Sequence, residues 1–150
     1  MHRVHIDSQS ISPIETFSLR DSETSILMVD PTYFDVLYEI NPHMAGMIGT
    51  VNKEVARKQW NHIKQVYEQI GLSVFTLSGE EGLPDMVFCA NQTFPFIDSN
   101  GEKKVVMSKM ASPYRSGEVP FFTNWYEEQG YSVIEQTDPP VDFEGMGDAI

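Results

Sequence analysis

The sequence predicts an α/β fold, and three observations carry that expectation. Short apolar runs of strand length recur along the chain, two longer segments show helical spacing, and a helix–glycine–strand unit occurs twice. The two copies are Tyr67-Glu68-Gln69-Ile70-Gly71-Leu72-Ser73-Val74-Phe75 and Tyr126-Glu127-Glu128-Gln129-Gly130-Tyr131-Ser132-Val133-Ile134, 59 residues apart. The unit is a helix end, a glycine exit and an apolar strand. Asp85 and Glu144 each follow their copy's glycine by 14 residues, so the repeat predicts equivalent loops that bring two carboxylates to one face. Two unrelated helix–strand units sharing ordinary C-cap glycines would give the same pattern.

Taken in order, Val4–Ile6 reads as a short strand and residues 8–24 as polar and turn-like. Ser25–Val29 reads as a buried strand ended by Asp30-Pro31. Thr32–Met44 mixes aromatic and acidic residues and reads as an ordered loop with local turns. A helix is predicted over Asn52–Ile70, capped by Thr50 or Asn52, with Glu54 in its first turn and Gly71 as its exit. Its stripe is Val55, Gln59, Ile63, Val66 and Ile70, with Tyr67 beside them and Gln59 interrupting the apolar run. Leu72–Leu77 follows as a strand, then an acidic loop over Ser78–Pro84. Met86–Ala90 and Thr93–Ile97 read as strands around Asn91, with Asp98-Ser99-Asn100-Gly101 as a hairpin turn and Lys104–Ser108 as the return. Ser112–Gly117 is a loop, and Glu118–Gln129 is a second helix that tolerates Pro120 in its first turn. Tyr131–Glu135 is a further strand before the Pro139-Pro140 loop.

The 150 residues are enough for one domain with a core. With 10 basic and 22 acidic residues, the net charge of −12 argues against nucleic acid as a partner but not against a small cation. One cysteine, Cys89, excludes an intrachain disulfide. No segment approaches the roughly 20 apolar residues of a membrane span, and a cytoplasmic setting is the expectation. The four histidines lack metal-ligand spacing, so no metal and no cofactor are expected. Cys89 sits in an apolar run and reads as a quiet buried thiol. The aromatics Phe121, Phe122, Trp125 and Tyr126 read as packing residues, and His62 as a wet helix position.

Three segments carry candidate chemistry. In Leu83–Asn91, Asp85 can receive N–H groups of a guanidinium or amine while Asn91 orients it; a turn cap and a β-turn are the structural alternatives. In Ser112–Glu118, Arg115 can grip a carboxylate bidentately or form a salt bridge to one of the many acids, and Glu118 reads as an early-helix charge. In Phe143–Asp148, two glycines separate Glu144 from Asp148, a pair able to hold a cation or move protons, or simply an acidic glycine turn.

Ile40-Asn41-Pro42-His43-Met44, the Pro84–Asn91 segment, the Pro113–Glu118 segment and the Phe143–Asp148 segment, in that order, resemble the amidinotransferase and arginine deiminase (pentein) superfamily. The resemblance is closest to arginine dihydrolase and citrulline-hydrolase-like members, with dimethylarginine dimethylaminohydrolases as relatives. It covers roughly Ile26 to the terminus. It implies a partial pentein-type α/β propeller built from repeated helix–strand units, residues 1–150 being one domain that matches the N-terminal half of such an enzyme. It also implies a small guanidino or ureido amino acid such as arginine as substrate. Glu144 is then the catalytic carboxylate, Asp85 and Asn91 bind the guanidinium, Arg115 binds the substrate carboxylate and Asp148 neighbours the site. Asn91, where deiminase-type relatives carry Asp, favours the dihydrolase-like branch.

In that family the catalytic His and the nucleophilic Cys lie downstream of the Glu region, and this sequence runs only to Ile150. The expectation is therefore no nucleophile within these residues, no turnover by this stretch alone, and a homo-oligomer or pairing with a missing C-terminal half. A non-catalytic binding or assembly module, or an amidinotransferase fragment, is the alternative.

Overall fold

The computed structural model describes residues 24–134, 136 and 142–149. Val4–Ile6, most of the 8–24 stretch, Glu135 and the Pro139-Pro140 loop lie outside them. The strands are β1 (Ser25–Val29), β2 (Ser73–Leu77), β3 (Thr93–Ile97), β4 (Lys103–Met107) and β5 (Ser132–Ile134); the helices are α1 (Lys53–Gln69) and α2 (Val119–Glu128).

Two sheets result. β1 and β2 pair in parallel, Ser25 opposite Ser73 and Val29 opposite Leu77, and α1 supplies the crossover that parallel neighbours require. β3 and β4 form an antiparallel hairpin, Thr93 opposite Met107, and β5 joins β4 in parallel after α2. The hairpin turns at Asp98, whose side chain accepts from Asn100 N and Glu102 N, while Gly101 takes φ +81°. Each helix leaves through a left-handed glycine, Gly71 or Gly130, so the helix–glycine–strand repeat is a structural one. Asn52 caps α1 by accepting from Val55 N at 3.0 Å.

The core gathers Val29, Met86, Val105, Met107, Phe122 and Tyr126, with Phe121 and Trp125 packed against it. The aromatics of α2 thus do the packing expected of them. Short 3₁₀ turns at Pro31–Tyr33 and Pro42–Met44 punctuate the ordered loop that precedes α1.

Two expectations are corrected. Met86–Ala90 is not a strand: Pro84–Val87 forms a 3₁₀ turn, closed by Met86 N to Leu83 O and Phe88 N to Asp85 O. Pro84 presets its φ and lacks an N–H for a ladder, which favours the turn over the apolar pattern. The stripe of α1 is not its buried side: Val55, Ile63, Val66 and Ile70 are 46%, 46%, 38% and 68% exposed. Ala56, Trp60 and Tyr67 are half-buried and line an apolar cleft together with Gln59 and Ile63 of the stripe. Glu118 stands at the start of α2, as an early-helix charge does, and is in addition fully buried because Arg115 and Gln92 satisfy it.

The end of β1 is tied to α1 by a forked ion pair. Arg57 Nη1 and Nη2 reach the two oxygens of Asp30 at 2.5 and 2.7 Å, and Thr32 adds two further donors. The Arg57 hydrogen bond chiefly, then Thr32, holds Asp30 down at about 2 against the opposing effect of burial. Because the folded value lies below the unfolded one, this stabilisation is present above about pH 4 and is lost as pH falls through about 2. Arg57→Leu is expected to raise the Asp30 value toward 3.8. It should also lower stability modestly at pH 6, because both side chains are partly solvated. The gap to the native chain should close as pH falls through about 2. Carboxyl NMR titration and denaturation at the two pH values check this.

Candidate active site

The Pro84–Val87 turn buries Asp85, which is 4% exposed, and fixes its backbone carbonyl as a hydrogen-bond acceptor. Tyr38, from the loop before α1, donates its hydroxyl to Asp85 Oδ2 at 2.7 Å. The Tyr38 phenol is raised above its ordinary value, by burial first and then by this bond to Asp85.

Arg115 ends the loop before the Ser116–Glu118 turn and is 7% exposed. Its Nε and Nη2 donate to Glu118 Oε1 and Oε2 at 3.2 and 3.1 Å. Nη2 also reaches the Asp85 and Phe88 carbonyls at 3.2 and 3.3 Å, and Nη1 reaches Asn91 Oδ1 at 3.3 Å. Of the two open possibilities for Arg115, the salt bridge is the one present; Nη1, with its single bond to Asn91 Oδ1, is the least committed nitrogen. Glu118 also accepts from Gln92 Nε2 at 2.5 Å. Burial pushes the Glu118 carboxyl above its ordinary value, opposed by Arg115 and Gln92. Every contact it makes is with an N–H donor, the arrangement that suits the ionised form.

The Glu144 segment docks on the same turn. Phe143 pairs with Lys109, Met146 N donates to Ala90 O at 2.9 Å, and Gly145 is buried against the Ala90, Asn91 and Thr93 carbonyls. Glu144 Oε1 accepts from Ala111 N at 3.2 Å, and Asp148 Oδ2 closes the loop by accepting from Glu144 N at 2.7 Å. Gly147 lies against the Asn91 amide. Asn91 is therefore the junction, with Arg115 on one side and the glycine turn on the other. Asp85 and Glu144 both sit at 3₁₀ turns, Asp85 within Pro84–Val87 and Glu144 just before Gly145–Gly147.

The structure thus links Asp85, Asn91 and Arg115 directly and brings the Glu144–Asp148 loop onto Asn91. Three residues of the network were missed in the sequence: Tyr38, Gln92 and Glu118. Arg115 and Glu118 are three apart at a helix start, a spacing that signals an ion pair. Tyr38 reaches across 47 positions and has no local signal.

Cys89 stands apart from this cluster. Its thiol is half-buried, bonds to Leu27 O at 3.2 Å and is pushed up by burial, the opposite of an activated thiolate. It lines an apolar cleft of about 430 Å³ between β1, α1 and Phe88. A second cleft, about 560 Å³, lies between Met107–Met110 and the start of α2. Asp85, Asn91, Arg115 and Glu144 line neither. Among the described residues no group of acids, His and Cys is arranged to hold a metal ion. No described helix is long and apolar enough to cross a membrane.

No family model matches the chain. Individual proteins do. Over 126 residues it is 40% identical to ArgZ of Synechocystis sp., a bifunctional arginine dihydrolase/ornithine cyclodeaminase; the match takes in 83% of this chain and 17% of that protein. It is 36% identical over 123 residues to the N(G),N(G)-dimethylarginine dimethylaminohydrolase of Mycobacterium tuberculosis, covering 82% of this chain and 38% of the other. The solved N-terminal domain of ArgZ, captured with its substrate, superposes with a TM-score of 0.73 at 37% identity, over 81% of this chain and 42% of that one.

The α/β architecture and these relatives make the chain a member of the pentein superfamily. Within it, the chain matches the N-terminal portion of the arginine dihydrolase ArgZ and spans less than half the length of each of these relatives.

Proposed function

We propose that this chain is the N-terminal portion of a guanidino-group hydrolase of the arginine dihydrolase type, with its helix–strand units arranged as part of a propeller. One observation carries the reading: the buried charged residues of the described chain are two carboxylates, Asp85 and Glu118, and one guanidinium, Arg115. The formal balance is one negative charge, and a buried excess of that sign favours a cationic ligand. A guanidinium offers planar N–H donors that match carboxylates, whereas an ammonium is a point charge.

In this reading Asp85 and Glu144 receive the guanidinium N–H groups. Asn91 orients them, and Asp148 holds Glu144's loop closed. Arg115 meets the ligand's own carboxylate through Nη1, because Nε and Nη2 are committed to Glu118 and two carbonyls. The related ArgZ domain has been captured with substrate, product and a covalent reaction intermediate, which supports a guanidino amino acid here. Hydrolysis of such a carbon requires an attacking thiolate and a proton-moving base. Cys89 does not suit the first role, and the resemblance puts both groups downstream of Glu144. This stretch binds; it does not turn over.

L-arginine titrated into the chain by calorimetry tests the reading. Binding to the native chain and its loss in Asp85→Asn are expected, with no release of urea or ammonia. Absence of binding removes the guanidino reading, and steady product release removes the claim that this stretch is inactive alone.

One observation favours association as well. The exposed apolar residues Val55, Ile63, Val66 and Ile70 share one side of α1, as an assembly surface would.

A further inference from the structure

Tyr38 is the hydrogen-bond donor to the Asp85 carboxylate among the described residues, and it comes from a loop with no strand or helix to place it. Its ring stacks on Tyr114, centroids 4.4 Å apart and planes at 16°, and Tyr114 immediately precedes Arg115. One side chain therefore touches the buried acid and the residue next to the buried base. The hydroxyl engages Oδ2 alone.

The choice of donor has an electrostatic consequence. A lysine or arginine at this place would fix the carboxylate and also cancel its charge. A neutral phenol fixes it by a charge-assisted hydrogen bond and leaves the charge in place. A carboxylate held in one orientation before its ligand arrives loses less rotational freedom on binding.

Resting on the guanidino reading above, we propose that Tyr38 is a positioning residue for Asp85: it holds Oδ2 so that Oδ1 is presented, still anionic, to an incoming guanidinium. The Tyr114 stack holds Tyr38 in that pose. Tyr38 itself does not touch the ligand.

Two measurements on the chain test this, and the first needs no ligand. Three-bond couplings of the Asp85 side chain should report one rotamer in the native chain and averaging among rotamers in Tyr38→Phe, which keeps the ring and its stack. A single unchanged rotamer in Tyr38→Phe overturns the proposal. The tyrosine carbon resonances give a companion signature. The groups facing Tyr38 are Asp85, Glu118 and Arg115, and its phenol should ionise above the ordinary tyrosine range in the native chain and at lower pH in Asp85→Asn. Ordinary ionisation of Tyr38 in the native chain also overturns it.

The second measurement is L-arginine affinity. Tyr38→Phe should weaken it about tenfold, as the loss of one hydrogen bond to a charged group does. Equal affinity of Tyr38→Phe and the native chain counts against the proposal. Failure of the native chain to bind L-arginine counts against the guanidino reading instead, and the rotamer measurement still decides whether Tyr38 positions Asp85.

Discussion

Arg115→Met is expected to destabilise the chain by about 3–5 kcal/mol in urea denaturation at pH 7, the range seen when one partner of a buried ion pair is removed. The reason lies in what Arg115 leaves behind. Glu118 is fully buried and would keep only the Gln92 amide as a donor. The Asp85 and Phe88 carbonyls and the Asn91 side chain would each lose a hydrogen bond. Lysine is no substitute, since one ammonium cannot span Glu118, two carbonyls and Asn91 from a single point.

Two controls separate this account from a general packing defect. Arg115→Met/Glu118→Leu should recover much of the loss, because it removes the stranded charge as well as its partner. The penalty of Arg115→Met alone should also shrink as pH falls. Burial already holds the Glu118 carboxyl above its ordinary value. A raised folded value means the folded state takes up its proton first, so stability rises as pH drops through it. A loss below 1 kcal/mol at pH 7, or a double variant as unstable as the single one, would contradict this role.

The legible part of the fold was the part set by local chemistry. The glycine exits at Gly71 and Gly130, the Asp98–Gly101 hairpin and the parallel pairs with helical crossovers all follow from spacing and turn residues. Two readings failed for the same reason: pattern does not say what an element packs against. Met86–Ala90 is apolar enough for a strand, yet Pro84 starts a turn, and only Met86 of the run is fully buried. The α1 stripe has helical spacing, yet its apolar members are exposed, while Ala56 and Trp60 outside it are half-buried. In the site, Asp85, Asn91, Arg115 and Glu144 stood out as polar residues punctuating apolar runs. Gln92 and Tyr38 did not, since a buried amide and a loop phenol acquire meaning only from partners 26 and 47 residues away.

Gly145→Val should separate the Glu144 loop from the rest of the site. Gly145 takes φ +55°, and a Cβ there would lie 2.5, 2.7 and 2.9 Å from the carbonyl oxygens of Thr93, Ala90 and Asn91. These are backbone atoms of the turn that carries Asn91 and of the first residue of β3, so they cannot swing aside as a side chain does. Strain at a left-handed position costs about 1–3 kcal/mol, and forced overlap in a packed place about 1–3 more. The sum exceeds what the local contacts return, namely the Met146–Ala90 hydrogen bond, the Phe143–Lys109 bridge and the Glu144–Ala111 contact. The segment should therefore detach rather than distort the core, which lies elsewhere in Phe122, Val105 and Met86. Amide exchange at residues 143–148 should rise sharply while the midpoint for the core falls less, and L-arginine binding should be lost with Glu144. Gly147→Ala is the matched control: its Cβ meets only the Asn91 side-chain amide, at 3.2 Å, and that group can rotate. It should leave exchange of the segment near the native level. Equal effects of the two substitutions would mean that the close approach at Gly145 is not what fastens Glu144 to Asn91.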